Sequence, residues 1–314
     1  MKAEKDLTSV YIALLALIVI VVIFFLAYLS KMSKLPKAPD VSSNNSQMMM
    51  DGQQMATTTN HSVTQQNSTQ PQTHTMTMES SGSIVAGSHV KFKIDHFKKL
   101  DLQPLEFDVF DESGKAYAPA ELKVVNEMNM HFIVVSANLR EYQHLHPTYE
   151  NGKWKVLANL PSVGTYYAYV DIAPVKGSAV VLRSNLVVQK DTSGAINFPG
   201  LTPNLFALVK NFKAELSLSQ TVALQQSVLS YHVTQGGKAS LLQPYLANLG
   251  HVVIFRQGSV DSYMHVHPLS SSDAKNGLAE FMTTFIKGGR YTAFAEFKLG
   301  SKVYTFPITF DING

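Results

Sequence analysis

Six of the eleven histidines of this 314-residue chain recur at matching positions in its two halves. Met130-His-Phe-Ile-Val-Val leads to His144-Leu-His-Pro, and Gly250-His-Val-Val-Ile-Phe leads to His265-Val-His-Pro. Farther along, the Gly-Thr-Tyr-Tyr-Ala-Tyr-Val-Asp segment of the first half matches Gly-Arg-Tyr-Thr-Ala-Phe-Ala-Glu in the second. This self-similarity indicates an internal duplication. The duplicated histidines are His131, His144, His146, His251, His265 and His267.

The spacing of these histidines predicts a metal site in each half. Residues two apart on a strand point to the same side of a sheet, so both histidines of a His-x-His motif share a face. A hairpin centred on Asn138-Leu139 places His131 directly across from His146, with Cβ atoms roughly 5 Å apart. A hairpin centred on Ser259 does the same for the first and last histidines of the second half. Three imidazoles on one patch suit Cu(II) or Zn(II), whereas a one-residue slip in register would separate them.

A carboxylate is expected to complete each site, because Asp171 and Glu296 occupy matching positions at the ends of matching strands. Met128, Met130 and Met264 lie near the histidines as further candidates, but they do not correspond between the halves. The predicted metal ligands are therefore His131, His144, His146, Asp171, His251, His265, His267 and Glu296.

Two other functions compete with metal binding. Histidines near strand ends often bond loop carbonyls, and Pro147 and Pro268 mark such ends, which favours a structural or adhesive envelope module. A cupin-like metalloenzyme comes third, because Glu150 follows the first motif but Asp273 follows the second at a different spacing. The chain has no Gly-x-Ser-x-Gly motif, cysteine or phosphate-binding glycine loop, so the prediction is a protein that is not an enzyme.

The overall composition excludes several classes of protein. Hydrophobic residues make up 45% of the chain and charged residues 16%, which excludes disorder throughout. The 26 basic and 23 acidic residues nearly cancel, so no nucleic-acid partner is expected. The absence of cysteine excludes disulfides and thiolate metal sites.

The N-terminal part predicts a membrane anchor followed by a tether. After a short tail (1–9), residues 10–29 are uncharged and long enough, at about 1.5 Å per residue, to cross a hydrocarbon core of roughly 30 Å as a helix. Residues 30–83 form a low-complexity tether. Its stretch from 38 to 83 holds six of the twelve methionines together with His61 and His74. Because thioethers select Cu(I), we expect the tether to collect copper as an auxiliary site.

The orientation of the anchor involves two opposing signals. Lys31, Lys34 and Lys37 follow the span, and by the positive-inside rule they favour a cytoplasmic C-terminal part. A polar tether that holds β-rich domains away from a bilayer is instead typical of an exported protein. We expect the folded part to be extracytoplasmic, on a single-pass cell-membrane anchor.

From residue 84 onward, short apolar runs alternate with Gly, Pro, Asn and Asp, which is typical of antiparallel sandwiches. The predicted fold class is all-β, with two tandem Ig-like antiparallel β-sandwich domains. They are expected at 84–190 and 212–314, joined by a connector at 191–211.

The two Met/Gly-His…His-x-His-Pro blocks, the Gly-Thr-Tyr strand and the run from Leu242 to His251 resemble bacterial membrane-anchored envelope proteins with tandem YtkA-like repeats. The resemblance covers about residues 85–312. It implies Ig-like β-sandwich repeats at the cell envelope and, for some members, heavy-metal or copper handling. Small periplasmic copper-resistance sandwiches are similar in style, but their N-terminal copper-ligand histidine is absent here. The predicted function is copper or zinc buffering or delivery at the envelope, with the membrane and another metal-handling protein as partners.

Overall fold

The computed structural model describes residues 89–98, 101–189, 196–259 and 261–314. The predicted anchor and tether lie outside the described residues, and so do residues 191–195, the first five of the predicted connector. Across those described ranges, no helix is long and apolar enough to cross a membrane.

The first repeat folds into a sandwich of two open sheets. Its described strands are β1 (His89–Phe92), β2 (His96–Phe97), β3 (Asp101–Phe110), β4 (Met130–Ser136), β5 (Tyr142–Leu145), β6 (Thr148–Glu150), β7 (Lys153–Leu160), β8 (Gly164–Ile172) and β9 (Val180–Val188). The strand orders are β1-β3-β7-β6 and β2-β9-β8-β4-β5. These pairings are antiparallel apart from the short β2, which runs parallel to β9.

The second repeat has the same architecture. Its described strands are β10 (Phe206–Val209), β11 (Phe212–Leu218), β12 (Gln226–Gln235), β13 (Lys238–Ala239), β14 (Leu242–Gln243), β15 (His251–Arg256), β16 (Met264–Val266), β17 (Leu278–Thr284), β18 (Gly289–Leu299) and β19 (Lys302–Ile312). One sheet has the order β10-β11-β12-β13 with β17 beside β12, and the other has β14-β18-β15-β16 with β19 beside β18. The predicted fold of two tandem Ig-like β-sandwiches is confirmed. Short 3-10 helices lie at Pro119–Glu121, Pro203–Leu205 and Ala274–Asn276.

Strand β4 is buried on both faces, and this double burial explains how the repeats pack together. Phe132 and Val134 enter the core of their own sandwich. Ile133 and Val135 point the opposite way, into a separate apolar cluster that also contains Val253 of the second repeat. Removing a side chain of this size from water contributes roughly 1.5–3 kcal/mol. The two sandwiches therefore pack face to face through β4 and its counterpart β15.

Matching aromatic pairs extend this interface in both directions. Tyr142 of β5 stacks on Phe294 of β18, with ring centroids 4.4 Å apart and an angle of 5° between the rings. Tyr263, just before β16, stacks on Tyr169 of β8 at 4.9 Å and 13°. Each repeat thus places the tyrosine of its histidine hairpin on a strand of the other repeat.

Candidate metal centre

Both hairpins have the register predicted from the sequence. In the first, Phe132 lies opposite Leu145 and Ile133 opposite His144, so continuing the ladder by one pair places His131 across from His146. In the second, Val252 lies opposite Val266, which brings the first and last histidines of that half together in the same way. His131 shares its strand face with Ile133, so the histidines belong to the interface between the sandwiches.

Each repeat brings three imidazoles together. One ring nitrogen from every histidine of a triad lies within 4.8 Å of the others. His131 Nδ1 is 3.0 Å from His144 Nε2, and His251 Nδ1 is 3.3 Å from His265 Nε2. A tetrahedral ion with metal–nitrogen bonds of about 2.1 Å holds its ligands about 3.4 Å apart, so these spacings fit. We name the groups the first triad (His131, His144, His146) and the second triad (His251, His265, His267).

The two triads adjoin each other and form one histidine cluster. Ring centroids are 5.1 Å apart for His131 and His265, and 5.2 Å apart for His144 and His265. His251 is fully buried, and four of the six side chains have less than a tenth of their surface exposed. The sequence predicted one separate site in each repeat, whereas the structure brings both into a single interface.

The leading histidine of each triad is held by a tight turn. His131 Nε2 lies 3.2 Å from the carbonyl oxygen of Val125, and His251 Nε2 lies 3.2 Å from that of Tyr245. A carbonyl oxygen can only accept a hydrogen bond, so the ring nitrogen must donate it and Nε2 carries the proton in both rings. The lone pair of Nδ1 is therefore directed into the triad.

The two carboxylates cross between the repeats. Glu296 Oε2 lies 2.7 Å from His144 Nδ1, and Asp171 Oδ2 lies 3.1 Å from His265 Nδ1. The sequence predicted that each carboxylate would serve as a ligand in its own repeat. Because the sandwiches pack face to face, each instead reaches the outer nitrogen of the central histidine in the other repeat. A carboxylate in this position orients an imidazole and raises its basicity.

The electrostatic environment keeps the cluster neutral at pH 7. Burial lowers the pKa of His146 to about 4 and that of His267 to about 3, and it lowers the pKa of His144 well below its ordinary value. Burial also raises the pKa of Glu296 to about 8 and raises the pKa of Asp171. Neutral imidazoles keep the lone pairs that a metal requires.

Two methionines near the histidines in sequence lie away from the histidine cluster. The side chains of Met130 and Met264 pack in the cores of their own sandwiches.

One residue of the site was not predicted from the sequence. The Tyr263 hydroxyl lies 3.1 Å from Asp171 Oδ2 and donates to it, although tyrosine was not among the predicted site residues. Its signal was present, because both hairpins read Tyr-x-His-x-His-Pro and the tyrosine shares the face of the histidines.

The matches to known proteins concern the repeats and the fold. A family model described as "Domain of unknown function (DUF8832)" matches residues 83–190 and 207–314. No curated protein matches the chain at a significant level.

Among solved structures, the chain is similar to the Escherichia coli adhesin FdeC, with 14% identity over 75% of this chain and 66% of that chain and a TM-score of 0.24. It is also similar to the D0-D1 domain of intimin, with 12% identity over 72% and 97% of the two chains and a TM-score of 0.19. The fibronectin(III)-like modules of Clostridium thermocellum CbhA match with 8% identity over 71% and 94% and a TM-score of 0.20. The chain spans just under two thirds of the adhesin.

Proposed function

We propose that this chain binds Zn(II) or Cu(II) in the histidine cluster between its two sandwiches. The chain belongs to the DUF8832 family, whose model matches both of its repeats. The observation that carries the proposal is the convergence of two imidazole triads, in each of which two histidines already bond a partner through the outer nitrogen. Metal-ligating histidines characteristically bond a carboxylate or a carbonyl through the nitrogen that does not bind the metal. Two histidines of each triad have such a partner.

The short contact between His131 and His144 supports an exchange of a proton for a metal. His131 Nδ1 presents a lone pair, so His144 Nε2 bonds to it only if it carries a proton. His144 Nδ1 then accepts a hydrogen bond from the protonated carboxyl of Glu296, which agrees with the raised pKa of Glu296. A cation held between the two rings would take the place of the proton on Nε2, which is released. Glu296 would pass its own proton to His144 Nδ1 and accept a hydrogen bond from the resulting N–H.

The second triad has the same arrangement. His251 Nδ1 presents its lone pair to His265 Nε2, and His265 Nδ1 faces the buried Asp171 carboxyl. The pKa of Asp171 is raised by burial. In each triad, a ring proton between two imidazole nitrogens occupies the place where a metal ion would bind.

The donor set favours zinc or copper over hard cations. Imidazole suits Zn(II) and Cu(II), whereas Mg(II) and Ca(II) prefer oxygen ligands. Three protein nitrogens leave a fourth position of a tetrahedral ion for water or for a ligand from another protein. Such a centre suits buffering of a metal, or its delivery to a partner, because the fourth position allows exchange.

The proposed place of action is the outer side of a cell membrane, on the strength of the apolar span and polar tether in the sequence. The chain has no cysteine, so Ser271→Cys, at an exposed position, creates a unique thiol. We expect a membrane-impermeant maleimide to label this variant on intact cells. Labelling that requires permeabilised cells would place the folded part in the cytoplasm.

A structural module is the second candidate, and a specific observation favours it. The bonds from Glu296 to His144 and from Asp171 to His265 join the two repeats. In that role the histidines would hold the sandwiches in register without any metal.

Zinc stoichiometry separates the two candidates. The full chain in detergent is dialysed against zinc, which thioethers in the tether bind poorly, and bound metal is counted by mass spectrometry. We expect about two equivalents for the parent, and about two for a His232→Ala control altered at an exposed histidine of β12. A His144→Ala/His265→Ala variant should retain none. Equal retention by that variant and the parent, or no zinc in a folded parent, would support the structural role.

A further inference from the structure

The third histidines of the two triads have different surroundings. His267 Nε2 lies 2.7 Å from the side-chain nitrogen of Asn126, which belongs to the first repeat. His146 Nε2 is buried and has no hydrogen-bond partner among the residues that the structure describes. The two repeats therefore differ in the hydrogen bonding of their third histidines, His146 and His267.

The hydrogen bonds around Asn126 fix the direction of its amide. Asn248 Nδ2 donates to the carbonyl oxygen of Leu246 at 3.0 Å and to Asn126 Oδ1 at 2.8 Å. Since Asn126 Oδ1 accepts there, its Nδ2 is the group that faces His267 and donates to it. The lone pair of His267 Nε2 is thus engaged, and the ring proton is on Nδ1.

This difference in hydrogen bonding arises at one position of a turn that occurs in both repeats. Asn126 follows Val125, and Leu246 follows Tyr245, the two residues whose carbonyls hold the leading histidines. The backbone of both turn residues is left-handed, with φ of 48° for Asn126 and 51° for Leu246. A leucine at the matching position has no donor to offer, and His146 Nε2 is the nitrogen that has no partner among the described residues.

We infer that Asn126 makes the two triads fill in order. This inference rests on the proposed function, in which both triads bind metal. Zinc enters the first triad without displacing a hydrogen bond from its third histidine. Whichever nitrogen of His267 becomes the ligand, filling the second triad requires the bond from Asn126 to be broken or reversed. The first triad is the tighter, resident site, and the second is the weaker, exchangeable one.

The surroundings of His146 agree with this order. His146 lines an open groove together with Ile94, Pro104, Thr148 and Leu157. The first triad therefore has a route to solvent beside the histidine that is free to accept an ion.

Asn126→Leu provides the test, because it copies the residue that the second repeat already has at this position. Zinc affinity is measured by competition with a chromophoric chelator in two backgrounds of the full chain. His146→Ala leaves the second triad, and His267→Ala leaves the first. We expect Asn126→Leu to tighten binding by the second triad about 3- to 10-fold, the range that a net hydrogen bond supports, and to leave the first unchanged.

Leu246→Asn is the reciprocal variant. Placing an amide on His146 should weaken the first triad by a similar factor in the His267→Ala background. The inference is overturned if Asn126→Leu weakens the second triad, since Asn126 would then orient His267 as a ligand, or if both substitutions leave both affinities unchanged. Absence of zinc from the otherwise unsubstituted folded chain would instead overturn the proposed function itself. Melting temperatures of the metal-free variants report whether each one folds.

Discussion

Nδ1 of His144 in the first repeat lies 2.7 Å from Oε2 of Glu296 in the second, and both side chains are buried. The reverse connection joins His265 to Asp171 at 3.1 Å. Each triad therefore takes its imidazoles from one repeat and its orienting carboxylate from the other. The interface between the sandwiches is part of the centre, and neither repeat carries a whole site.

Replacing Glu296 should weaken the first triad and spare the second, although Glu296 belongs to the second repeat. Glutamine keeps the shape of Glu296 but lacks its charge, so it no longer raises the basicity of His144. We expect Glu296→Gln to lower zinc affinity about 10- to 100-fold in the His267→Ala background, and to have little effect in the His146→Ala background. Glu112→Gln, at an exposed turn, is the matched control. A larger loss in the second triad would contradict the crossed arrangement.

Metal binding should release protons at pH 7. Since the pKa of Glu296 is raised to about 8, its carboxyl holds a proton that leaves when zinc displaces the proton on His144. Calorimetric titration in buffers of different ionisation enthalpy counts these protons. We expect about one proton per zinc in the first triad, and fewer in Glu296→Gln. Equal proton release by parent and variant would show that the proton comes from another group.

The metal-free chain should lose stability as the pH falls below about 6.5. In the unfolded chain histidine titrates near 6.5, whereas burial lowers the pKa of His146 to about 4 and that of His267 to about 3. Over this interval the unfolded state binds more protons, so the free energy of unfolding falls by roughly 1.4 kcal/mol per pH unit for each histidine that stays neutral.

The buried carboxyls oppose this trend. With raised pKa values, Glu296 and Asp171 hold protons in the folded state that the unfolded chain releases above about pH 4. Two carboxyls offset only part of the effect of six imidazoles. Urea midpoints at pH 5.5 and 7.5 provide the measurement, and His146→Gln should show a shallower dependence. A midpoint that is equal or higher at pH 5.5 would contradict the neutral, buried cluster.

Weakening the aromatic interface should disturb both triads at once. Phe294 is nearly fully buried and stacks on Tyr142, so Phe294→Ala should cost about 3–5 kcal/mol in stability. We expect weaker zinc binding in both single-triad backgrounds, because the orienting carboxylates reach the histidines only across this interface. Ile286→Ala, at an exposed position, should change stability by no more than about 0.5 kcal/mol. Unchanged zinc affinity in Phe294→Ala would show that the triads form without the interface.

The sequence predicted the hairpins well because their information is local. A fixed strand period and the duplicated spacing were enough to place His131 across from His146, and the register in the structure agrees. The fold class followed from turn residues at regular intervals, for the same reason.

The packing between repeats could not be predicted in this way. A pattern within one strand does not show which surface will cover its outer face, and β4 proved to be buried along its whole length. The crossed carboxylates depend on that packing, so sequence spacing assigned Asp171 and Glu296 to the wrong partners. The role inferred for Asn126 was equally hidden, because it depends on a hydrogen bond between residues 141 positions apart.

X-ray absorption at the zinc edge of the loaded full chain reports directly which atoms bind each ion. We predict that each ion is bound by three imidazole nitrogens at about 2.0–2.1 Å, with the outer-ring scattering of histidine and one further light atom. The pattern should disappear in His144→Ala/His265→Ala and persist in His232→Ala. Sulfur scattering near 2.3 Å, or a shell of oxygen atoms without imidazole features, would contradict the assignment of the histidine cluster as the metal centre.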